Sequence, residues 1–350
     1  MADRTRVLLL SPSGGLGGGI ERYVETLQWA FRVQGVPCAR ADLEQSGPAG
    51  HWRLLRRLDA PWAGPGAVRI VAAHRALLPV ACRLAQRPAV TGISVICHGS
   101  DVWGTRARPR RWLEGRAMLS RRVRVVAVSS FSAGAAGVGC GATVLPPGLS
   151  GPWFDELAKA GVPDRRPGGG IRLMTAFRLG DSRDKGLPEL LEAIRQVDRP
   201  DVSLTICGSG QLPPQAARLV TGLPWCRVRS GLTDAELAAE LADADLFVLA
   251  TRTRRGRGAC GEGFGLVLLE AQVAGTAVVG PASGGSREAY LDGVTGVAPV
   301  NESAEALART LTGLLGDPAL VARMGRGAAC WAQAAFEPAQ YAARAVQRLL

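Results

Sequence analysis

Residues 262–271 read EGFGLVLLEA and join a glycine-rich turn to an apolar run with helical spacing. The spacing predicts a helix over residues 266–274, with Glu262 just before it and Glu270 one to two turns inside. Glycines permit a tight turn, and the first amides of such a helix favour an anion. Both carboxylates could accept hydrogen bonds from sugar hydroxyls, whereas an ordinary capping or solvated role for Glu270 is the alternative.

Short apolar runs on both sides of this segment alternate with amphipathic stretches. Runs rich in Val, Ile and Leu without polar alternation are typical of strands buried on both faces of a parallel sheet. The predicted strands of the first half are residues 7–10, 68–72, 92–97 and 123–128. Those of the second half are residues 171–177, 202–207, 225–228, 246–250 and 277–280. This strand–helix order predicts an α/β protein with two doubly wound, Rossmann-like domains.

The 350 residues fit two domains of roughly 150 residues each. Residues 1–150 are predicted to form the N-terminal domain and residues 171–326 the C-terminal domain. The Pro- and Gly-rich residues 151–170 are predicted to link them, with the domains facing each other across a cleft. Residues 327–350 are predicted to form a helix that packs back on the first domain.

The formal net charge of +12 is confined to the first half of the chain. Residues 1–150 hold 20 Arg against 8 acidic residues, whereas residues 151–350 hold 22 basic and 22 acidic residues. Residues 106–124 alone hold eight Arg and one acid. This segment is either a solvated basic face or a surface for an acidic acceptor or anionic lipid. Basic and aromatic residues together also occur in nucleic-acid-binding proteins, but we expect no nucleic-acid partner.

The eight Cys are scattered without any C-x-x-C pair, which is typical of reduced thiols in the cytosol. No apolar run reaches the ~18 residues that a membrane span needs, and the N-terminal run is too short for a signal peptide. We therefore expect a soluble cytoplasmic protein. Peripheral contact with the inner face of the membrane through the basic half is an open alternative.

Residues 178–186, RLGDSRDKG, follow a predicted strand, and Arg178 and Lys185 bracket the loop. Two cations at a strand end can neutralise a diphosphate, whereas a solvated loop with ordinary ion pairs is the alternative. Lys185 is one of only two lysines in the chain. Gly208 and Gly210 form a second turn after a predicted strand, which fits either a ligand-binding turn or an ordinary tight turn.

Two motifs of the first half follow predicted strands, where the ligand crevice of such sheets lies. Residues 14–22, GGLGGGIER, open a helix, and this glycine-rich turn fits an anion site, a structural turn or an incomplete dinucleotide fingerprint. Residues 98–101, HGSD, contain His98, which could hydrogen-bond a sugar hydroxyl or serve as a structural histidine. We assign no role to His51 and His74.

Two further features carry charge without a clear chemical role. Asp243 and Asp245 form a D-x-D pattern, but they precede a predicted strand, whereas a metal site of this type would follow one. We therefore interpret them as a loop and expect neither a metal nor another cofactor. The Arg-rich residues 252–260 are predicted to form a mobile loop at the mouth of the cleft.

With these motifs, the chain resembles retaining glycosyltransferases of family 4, which have the GT-B fold. The resemblance covers nearly the whole chain and is most specific in residues 261–271, GEGFGLVLLEA, and residues 283–288, SGGSRE. The chain departs from the family pattern at residues 182–184, where Ser-Arg-Asp replaces the usual Pro-Glu. It also departs in the long Arg-rich segment before Glu262.

The resemblance implies that Arg178 and Lys185 hold the donor diphosphate, that Glu262 binds the transferred sugar and that Glu270 holds the ribose. It places His98 beside the sugar and the reacting centre. Backbone groups implied in donor binding are those of Gly18, Gly19, Gly208, Gly210, Phe264, Gly265, Leu266 and Val267. The candidates on the acceptor side are Asp101, Arg106 and Arg108.

The resemblance further implies metal-independent, retaining transfer of a sugar from a UDP-, GDP- or dTDP-sugar to an acceptor hydroxyl. We expect a small-molecule acceptor, as in antibiotic biosynthesis. The first alternative is an anionic lipid or cell-envelope acceptor at the membrane surface. Alternatives of another class are a GT-B sugar-nucleotide epimerase or phosphorylase and a non-catalytic basic binding module. A phosphorylase would need a pyridoxal-linked Lys, for which Lys159 in the predicted linker is a poor candidate.

Overall fold

The computed structural model describes most of the chain, namely residues 5–12, 18–45, 47–58, 66–99, 101, 108–137, 141–161, 170–254 and 259–350. The chain divides into two units. The first comprises Met1–Ser150, Arg255–Ala259 and Pro338–Leu350, and the second comprises Gly151–Arg254 and Cys260–Glu337.

A parallel sheet of six strands forms the centre of the first unit, in the order β2-β1-β3-β4-β5-β6. Its strands are β1 (Arg6–Ser11), β2 (Cys38–Asp42), β3 (Val68–Ala72), β4 (Val90–Cys97), β5 (Val123–Ala127) and β6 (Thr143–Val144). The inner strands are almost entirely buried, because helices cover both faces of a parallel sheet. Helices described in this part of the chain are α1 (Gly19–Val33), α2 (Pro48–Arg57), α3 (Leu78–Leu84), α4 (Arg108–Met118) and α5 (Ser130–Ala136).

The second unit repeats this plan with the strand order β12-β11-β10-β7-β8-β9. Its strands are β7 (Ile171–Ala176), β8 (Val202–Gly208), β9 (Cys226–Ser230), β10 (Leu246–Val248), β11 (Ala277–Val279) and β12 (Gly296–Val297). The helices are α6 (Gly151–Ala160), α7 (Leu187–Val197), α8 (Pro214–Val220), α9 (Asp234–Asp243), α10 (Leu266–Val273), α11 (Ala304–Leu315) and α12 (Pro318–Ala335). The predicted fold class, two doubly wound parallel α/β units, is therefore confirmed.

The predicted linker over residues 151–170 is wrong in its first half, because Gly151–Ala160 is the helix α6 of the second unit. Trp153 and Leu157 lie one helical turn apart and are buried, at 4% and 0% exposure. They provide the apolar stripe through which α6 packs on α9 and α10. The flanking Pro and Gly had obscured this short stripe. Residues 162–169 lie outside the described residues.

The end of the chain is not one helix from residue 327, because the helix breaks at Phe336–Pro338. The first part belongs to α12, and the second is a separate helix, α13 (Pro338–Leu349). Pro338 cannot continue a helix but suits the first turn of a new one. Helix α13 packs on α1, and the carbonyl oxygen of Leu349 accepts a hydrogen bond from Ser94 Oγ at 2.6 Å.

Three edge strands, β2, β6 and β12, were absent from the predicted set. β2 is the segment CARAD, which is only partly buried and has no apolar run, and β6 and β12 have two residues each. Edge strands pair on one side only, so their sequences carry little of the pattern that marks a central strand. Among the described residues, no helix combines the length and apolar character needed to cross a membrane.

Candidate active site

The second sheet reverses its strand order between β7 and β10. Open α/β sheets bind ligands beyond the carboxyl ends of their strands at such a switch point. The loop after β7 contains Lys185 and Gly186, and the loop after β10 contains Ala250 and Thr251. A Cβ on Gly186 would lie 2.0 Å from the carbonyl oxygen of Ala250, and its φ of 69° is in the left-handed region. Glycine at residue 186 therefore lets the two loops meet at the switch point.

Lys185, Thr251 and Glu262 form a hydrogen-bonded cluster at this meeting point. Lys185 Nζ donates to Glu262 Oε2 at 2.8 Å, and Thr251 Oγ1 donates to the same oxygen at 3.0 Å. The side chains of Lys185 and Glu262 are 25% and 14% exposed, and Thr251 is buried. Solvent therefore screens this ion pair less than a fully exposed one. Sequence reasoning singled out Lys185 and Glu262 but missed Thr251, because a lone Thr after a strand forms no motif.

The main chain of Glu262 is fixed by the glycines of the segment SGGSRE. The amide of Gly285 donates to the carbonyl oxygen of Glu262 at 2.9 Å. A Cβ on Gly284 would lie 2.6 Å from that oxygen, and the φ of Gly284 is 113°. Only glycine fits such an approach without displacing the backbone of Glu262. The segment SGGSRE is the second motif on which the family resemblance depends, and this contact explains why the motif needs its glycines.

The turn after Glu262 enters α10 through Gly265, whose φ of 82° again requires the left-handed region. Phe264 is 3% exposed and anchors the turn in the core. Leu266 and Val267 are the first two residues of α10. The first amides of a helix have no intrahelical acceptor and carry the positive end of its dipole. This end of α10 can therefore receive an anion, as the sequence predicts for the donor phosphates.

Glu270 lies inside α10 and is only 5% exposed, so it is neither a cap nor a solvated side chain. Its Oε1 accepts a hydrogen bond from Trp153 Nε1 at 2.9 Å. The implied ribose-binding role of Glu270 stays a prediction. Sequence reasoning missed Trp153, which lies 117 positions away in the segment interpreted as a linker.

Arg178, Gly208 at the end of β8 and Gly210 just after it lie at the same carboxyl edge of the second sheet. Arg178 lies two residues after the end of β7, and its side chain is exposed. A Cβ on Gly208 would lie 1.9 Å from the carbonyl oxygen of Phe177, so the end of β8 packs closely against the start of the loop that contains Arg178. Gly210 has a φ of 82° with open space around it. Their donor-binding roles stay predictions.

In the first unit, His98 follows β4 and closes a turn with Asp101. The backbone amides of His98 and Gly99 donate to Asp101 Oδ1 at 3.0 and 2.8 Å. His98 Nε2 lies 2.7 Å from the carbonyl oxygen of Ala73, which assigns the ring proton to Nε2. Burial lowers the pKa of His98 from its ordinary value, although the charge of Asp101 and the bond to Ala73 oppose the shift. The ring is therefore neutral at neutral pH.

His74, to which the sequence gave no role, lies beside His98. Their rings stack with centroids 6.0 Å apart, and Tyr23 from α1 meets His98 edge-on at 5.4 Å. His74 Nδ1 accepts from the amide of Ala76 at 3.0 Å, which assigns its proton to Nε2. That nitrogen lies 3.9 Å from Asp101 Oδ2. The position of His74 just after a predicted strand was the one signal that could have identified it.

The remaining candidates of the first unit lie at the edge of the described residues. Gly18 precedes α1 with a φ of 129°, and Gly19 opens the helix with open space around it. Residues 13–17 lie outside the described residues. Arg106 also lies outside them, as does the side chain of Arg108 in α4. The roles of Gly18, Gly19, Arg106 and Arg108 stay predictions.

The D-x-D pattern lies at the amino edge of the second sheet, opposite the cluster around Glu262. Asp243 ends α9 and Asp245 precedes β10. Asp245 Oδ2 accepts from the amide of Arg172 at 2.7 Å, and the guanidinium of Arg172 pairs with Asp243. Both carboxylates thus bind the start of β7. Within the described part of the chain, no group of three His, Cys, Asp or Glu is arranged to hold a metal ion.

Hydrogen bonds and an ion pair hold the two ends of the Arg-rich segment before Glu262. Arg254 and Cys260 exchange backbone hydrogen bonds of 2.9 and 3.1 Å, and the guanidinium of Arg254 pairs with Asp184. Asp184 and Arg254 belong to the two segments in which the sequence departs from the family pattern. The two departures therefore contact each other. Residues 255–258, at the tip of the predicted mobile loop, lie outside the described residues.

Similarity to known proteins agrees with this architecture. Residues 178–331 match the family described as glycosyl transferases group 1. The chain is 31% identical over 282 residues to phosphatidyl-myo-inositol mannosyltransferase from Mycobacterium tuberculosis, covering 77% of this chain and 69% of that protein. It is 34% identical over 203 residues to the GDP-mannose-dependent alpha-(1-6)-phosphatidylinositol monomannoside mannosyltransferase of Mycolicibacterium smegmatis. That match covers 54% of this chain but only half of the relative.

Among solved structures, the chain is similar to sucrose-phosphate synthase from Thermosynechococcus elongatus, with a TM-score of 0.78 and 19% identity over 98% of both chains. Two parallel doubly wound units define the GT-B fold, and the family match and the mycobacterial relative identify the class as glycosyltransferases. The resemblance to GT-B glycosyltransferases that the motifs indicated is therefore confirmed. The chain belongs to the family of group 1 glycosyl transferases.

Proposed function

We propose that the protein transfers a sugar from a nucleotide sugar to an acceptor hydroxyl, with retention of the anomeric configuration. The observation that carries the proposal is the cluster of Lys185, Thr251 and Glu262 at the switch point of the second sheet. It combines a cation for phosphate oxygens with a carboxylate for sugar hydroxyls. The adjacent start of α10 adds backbone amides for the same diphosphate.

In the proposed reaction, the bond between the anomeric carbon and the β-phosphate oxygen breaks, and the acceptor oxygen bonds to that carbon from the same face. The hydroxyl proton passes to a phosphate oxygen of the departing nucleoside diphosphate. Arg178, Lys185 and the first amides of α10 would stabilise the charge that develops on the leaving group. Because cationic side chains and amides can supply this stabilisation, we propose that transfer needs no metal ion.

We propose GDP-mannose as the donor and an inositol phospholipid as the acceptor. Two relatives support this choice, since one is named for phosphatidyl-myo-inositol and the other for GDP-mannose and a phosphatidylinositol monomannoside. They favour the anionic-lipid alternative over the small-molecule acceptor that we expected from the sequence. The net charge of +12 in residues 1–150 supports the same choice, because an inositol phospholipid carries a phosphate.

The helical layer of the first unit presents aromatic and basic side chains that suit an anionic membrane surface. Helices α2 and α4 both pack against α3. Trp52 on α2 and Trp112 on α4 are 54% and 63% exposed, and Leu119 after α4 is 61% exposed. The guanidinium groups of Arg56 and Arg116 lie 4.0 and 5.7 Å from the two Trp rings. Tryptophan beside Arg is typical of surfaces that lie at the lipid headgroups.

The test is transfer of radiolabelled mannose from GDP-mannose to phosphatidylinositol in vesicles, read as label in the lipid extract. Soluble myo-inositol 1-phosphate and a panel of UDP- and dTDP-sugars serve as parallel arms. We expect lipid labelling that persists in excess EDTA, with the α-anomeric configuration of the donor kept in the product. Labelling of the soluble acceptor alone would refute the lipid acceptor. Absence of transfer or donor hydrolysis in every arm would refute the glycosyltransferase itself.

A further inference from the structure

The indole of Trp153 is bound to the carboxylate of Glu270 in the core of the second unit. Trp153 is 4% exposed and Glu270 is 5% exposed, with 2.9 Å between Nε1 and Oε1. A carboxylate this deeply buried is costly unless donors surround it. The indole N–H is a donor only and points in one direction, so it restricts the orientation of the carboxylate it binds.

The position of Trp153 is fixed by helix packing. It lies on the buried stripe of α6 together with Leu157, and α6 packs on both α9 and α10. The donor and the acceptor of the bond therefore sit on two helices in direct contact. Side chains carried on packed helices hold a functional group more accurately than side chains on loops.

We propose that Trp153 is a positioning residue that orients Glu270 toward the ribose hydroxyls of the donor nucleotide and so sets the preference for ribonucleotides. The inference rests on the proposed function, in which Glu270 holds the ribose. A carboxylate held by the indole N–H accepts hydroxyl protons in a defined direction. A carboxylate that lost this donor would reorient, and its bonds to the hydroxyls would weaken.

This role makes a prediction that a purely packing role for Trp153 does not make. The affinity for GDP should depend on the indole N–H, because GDP has both ribose hydroxyls. The affinity for 2′,3′-dideoxy-GDP should not depend on it, because that nucleotide offers the carboxylate nothing to bind. The ratio of the two affinities therefore reports the orientation of Glu270 separately from the stability of the fold.

The experiment is calorimetric titration of the full chain with GDP and with 2′,3′-dideoxy-GDP. Trp153→Phe keeps an aromatic ring in the core and removes the donor, and the comparison of the two nucleotides separates this loss from the change in packing volume. Glu270→Gln tests the carboxylate itself, and Trp225→Phe is the matched control, since Trp225 lies at the amino edge of the sheet, before β9. We expect Trp153→Phe to weaken GDP binding by about tenfold, the scale of one hydrogen bond to a charged group, and to leave dideoxy-GDP binding unchanged. In turnover assays we expect the increase in KM for GDP-mannose to exceed any change in kcat.

The outcomes separate the two levels of the proposal. Equal weakening of both nucleotides by Trp153→Phe, or no weakening of either, would overturn the positioning role and leave the glycosyltransferase in place. Loss of the ribose preference in Trp153→Phe but not in Glu270→Gln would also overturn the positioning role of Trp153. If the unaltered chain bound none of GDP, UDP and dTDP, the proposed function itself would fail. A Trp153→Phe variant that does not fold is replaced by Trp153→His, which restores a ring N–H and should recover the preference.

Discussion

At the scale of single residues, one carboxylate oxygen, Glu262 Oε2, accepts hydrogen bonds from two side chains of different loops. Lys185 brings a charge and Thr251 brings a neutral donor. Two donors on one oxygen hold the carboxylate in a single orientation. Sequence motifs identified the charged pair, which lies 77 positions apart, but not the hydroxyl that supports it.

Replacing Lys185 by Ala should lower kcat by about 100- to 1,000-fold, the usual effect of losing one preorganised charge contact. The chain offers a matched control, because its only other lysine, Lys159, is exposed at the end of α6. Lys159→Ala should be as active as the unaltered protein. Steady-state assays with GDP-mannose, together with thermal unfolding of each variant, would test this. Near-normal turnover in a folded Lys185→Ala variant would refute the donor site.

Thr251→Val should lower kcat/KM by about fivefold, because Glu262 loses a neutral hydrogen bond while the side-chain volume is kept. Thr253→Val is the matched control. Its buried Oγ1 has no hydrogen-bond partner among the described residues, so its loss should leave activity unchanged. The same assays would measure both variants. Equal effects of the two substitutions would contradict a specific role for Thr251.

At the scale of secondary-structure elements, glycines decide how closely the loops of the second unit approach one another. Gly186 at the start of α7 allows the loop after β7 to touch the loop after β10, and Gly284 allows the segment SGGSRE to reach Glu262. Both have positive φ values and backbone atoms where a Cβ would lie. The sequence showed that glycines were present, but only the structure shows what each one approaches.

Gly186→Ala should destabilise the protein by about 3 kcal/mol, since it adds a clash with the carbonyl of Ala250 to the cost of a positive φ. Gly222→Ala is a control for φ alone, because Gly222 has a φ of 79° and nothing within 4 Å of an added Cβ. That variant should lose only about 1 kcal/mol. Urea unfolding monitored by circular dichroism would measure both free energies. Equal losses would show that the loop can move away from Ala250.

At the scale of the whole molecule, charge and chemistry are divided between the two units. The basic excess lies in residues 1–150, whereas the residues proposed to bind the donor diphosphate and ribose lie in the second unit. This division suits the proposed transfer, in which one unit would meet an anionic acceptor and the other would bind the nucleotide sugar. Helix α13 packs on α1 in the first unit, although it follows the residues of the second unit in the sequence.

Binding to vesicles should therefore depend on anionic lipid, on salt and on the exposed Trp residues of the first unit. Replacing Trp52 and Trp112 together by Ser should weaken sedimentation with phosphatidylinositol vesicles by about tenfold, because both rings are more than half exposed beside Arg. Val300→Ser is the control, since Val300 is 85% exposed but lies in the second unit. Raising the salt concentration to about 1 M should release the unaltered protein from the vesicles, because salt screens the attraction between Arg side chains and anionic lipid. Binding that survives high salt and the double substitution would refute the lipid surface.

The sequence by itself determined the fold class, because apolar runs of strand length and amphipathic helices are local patterns that survive in any arrangement. It also singled out Lys185 and Glu262 as members of one site, through motifs next to strand ends. Only the tertiary structure decided that Gly151–Ala160 is a helix, that Trp153 binds Glu270 and that Thr251 joins the cluster. These features depend on which elements become neighbours in space. Contacts between residues far apart in the chain leave no local pattern from which they could be predicted.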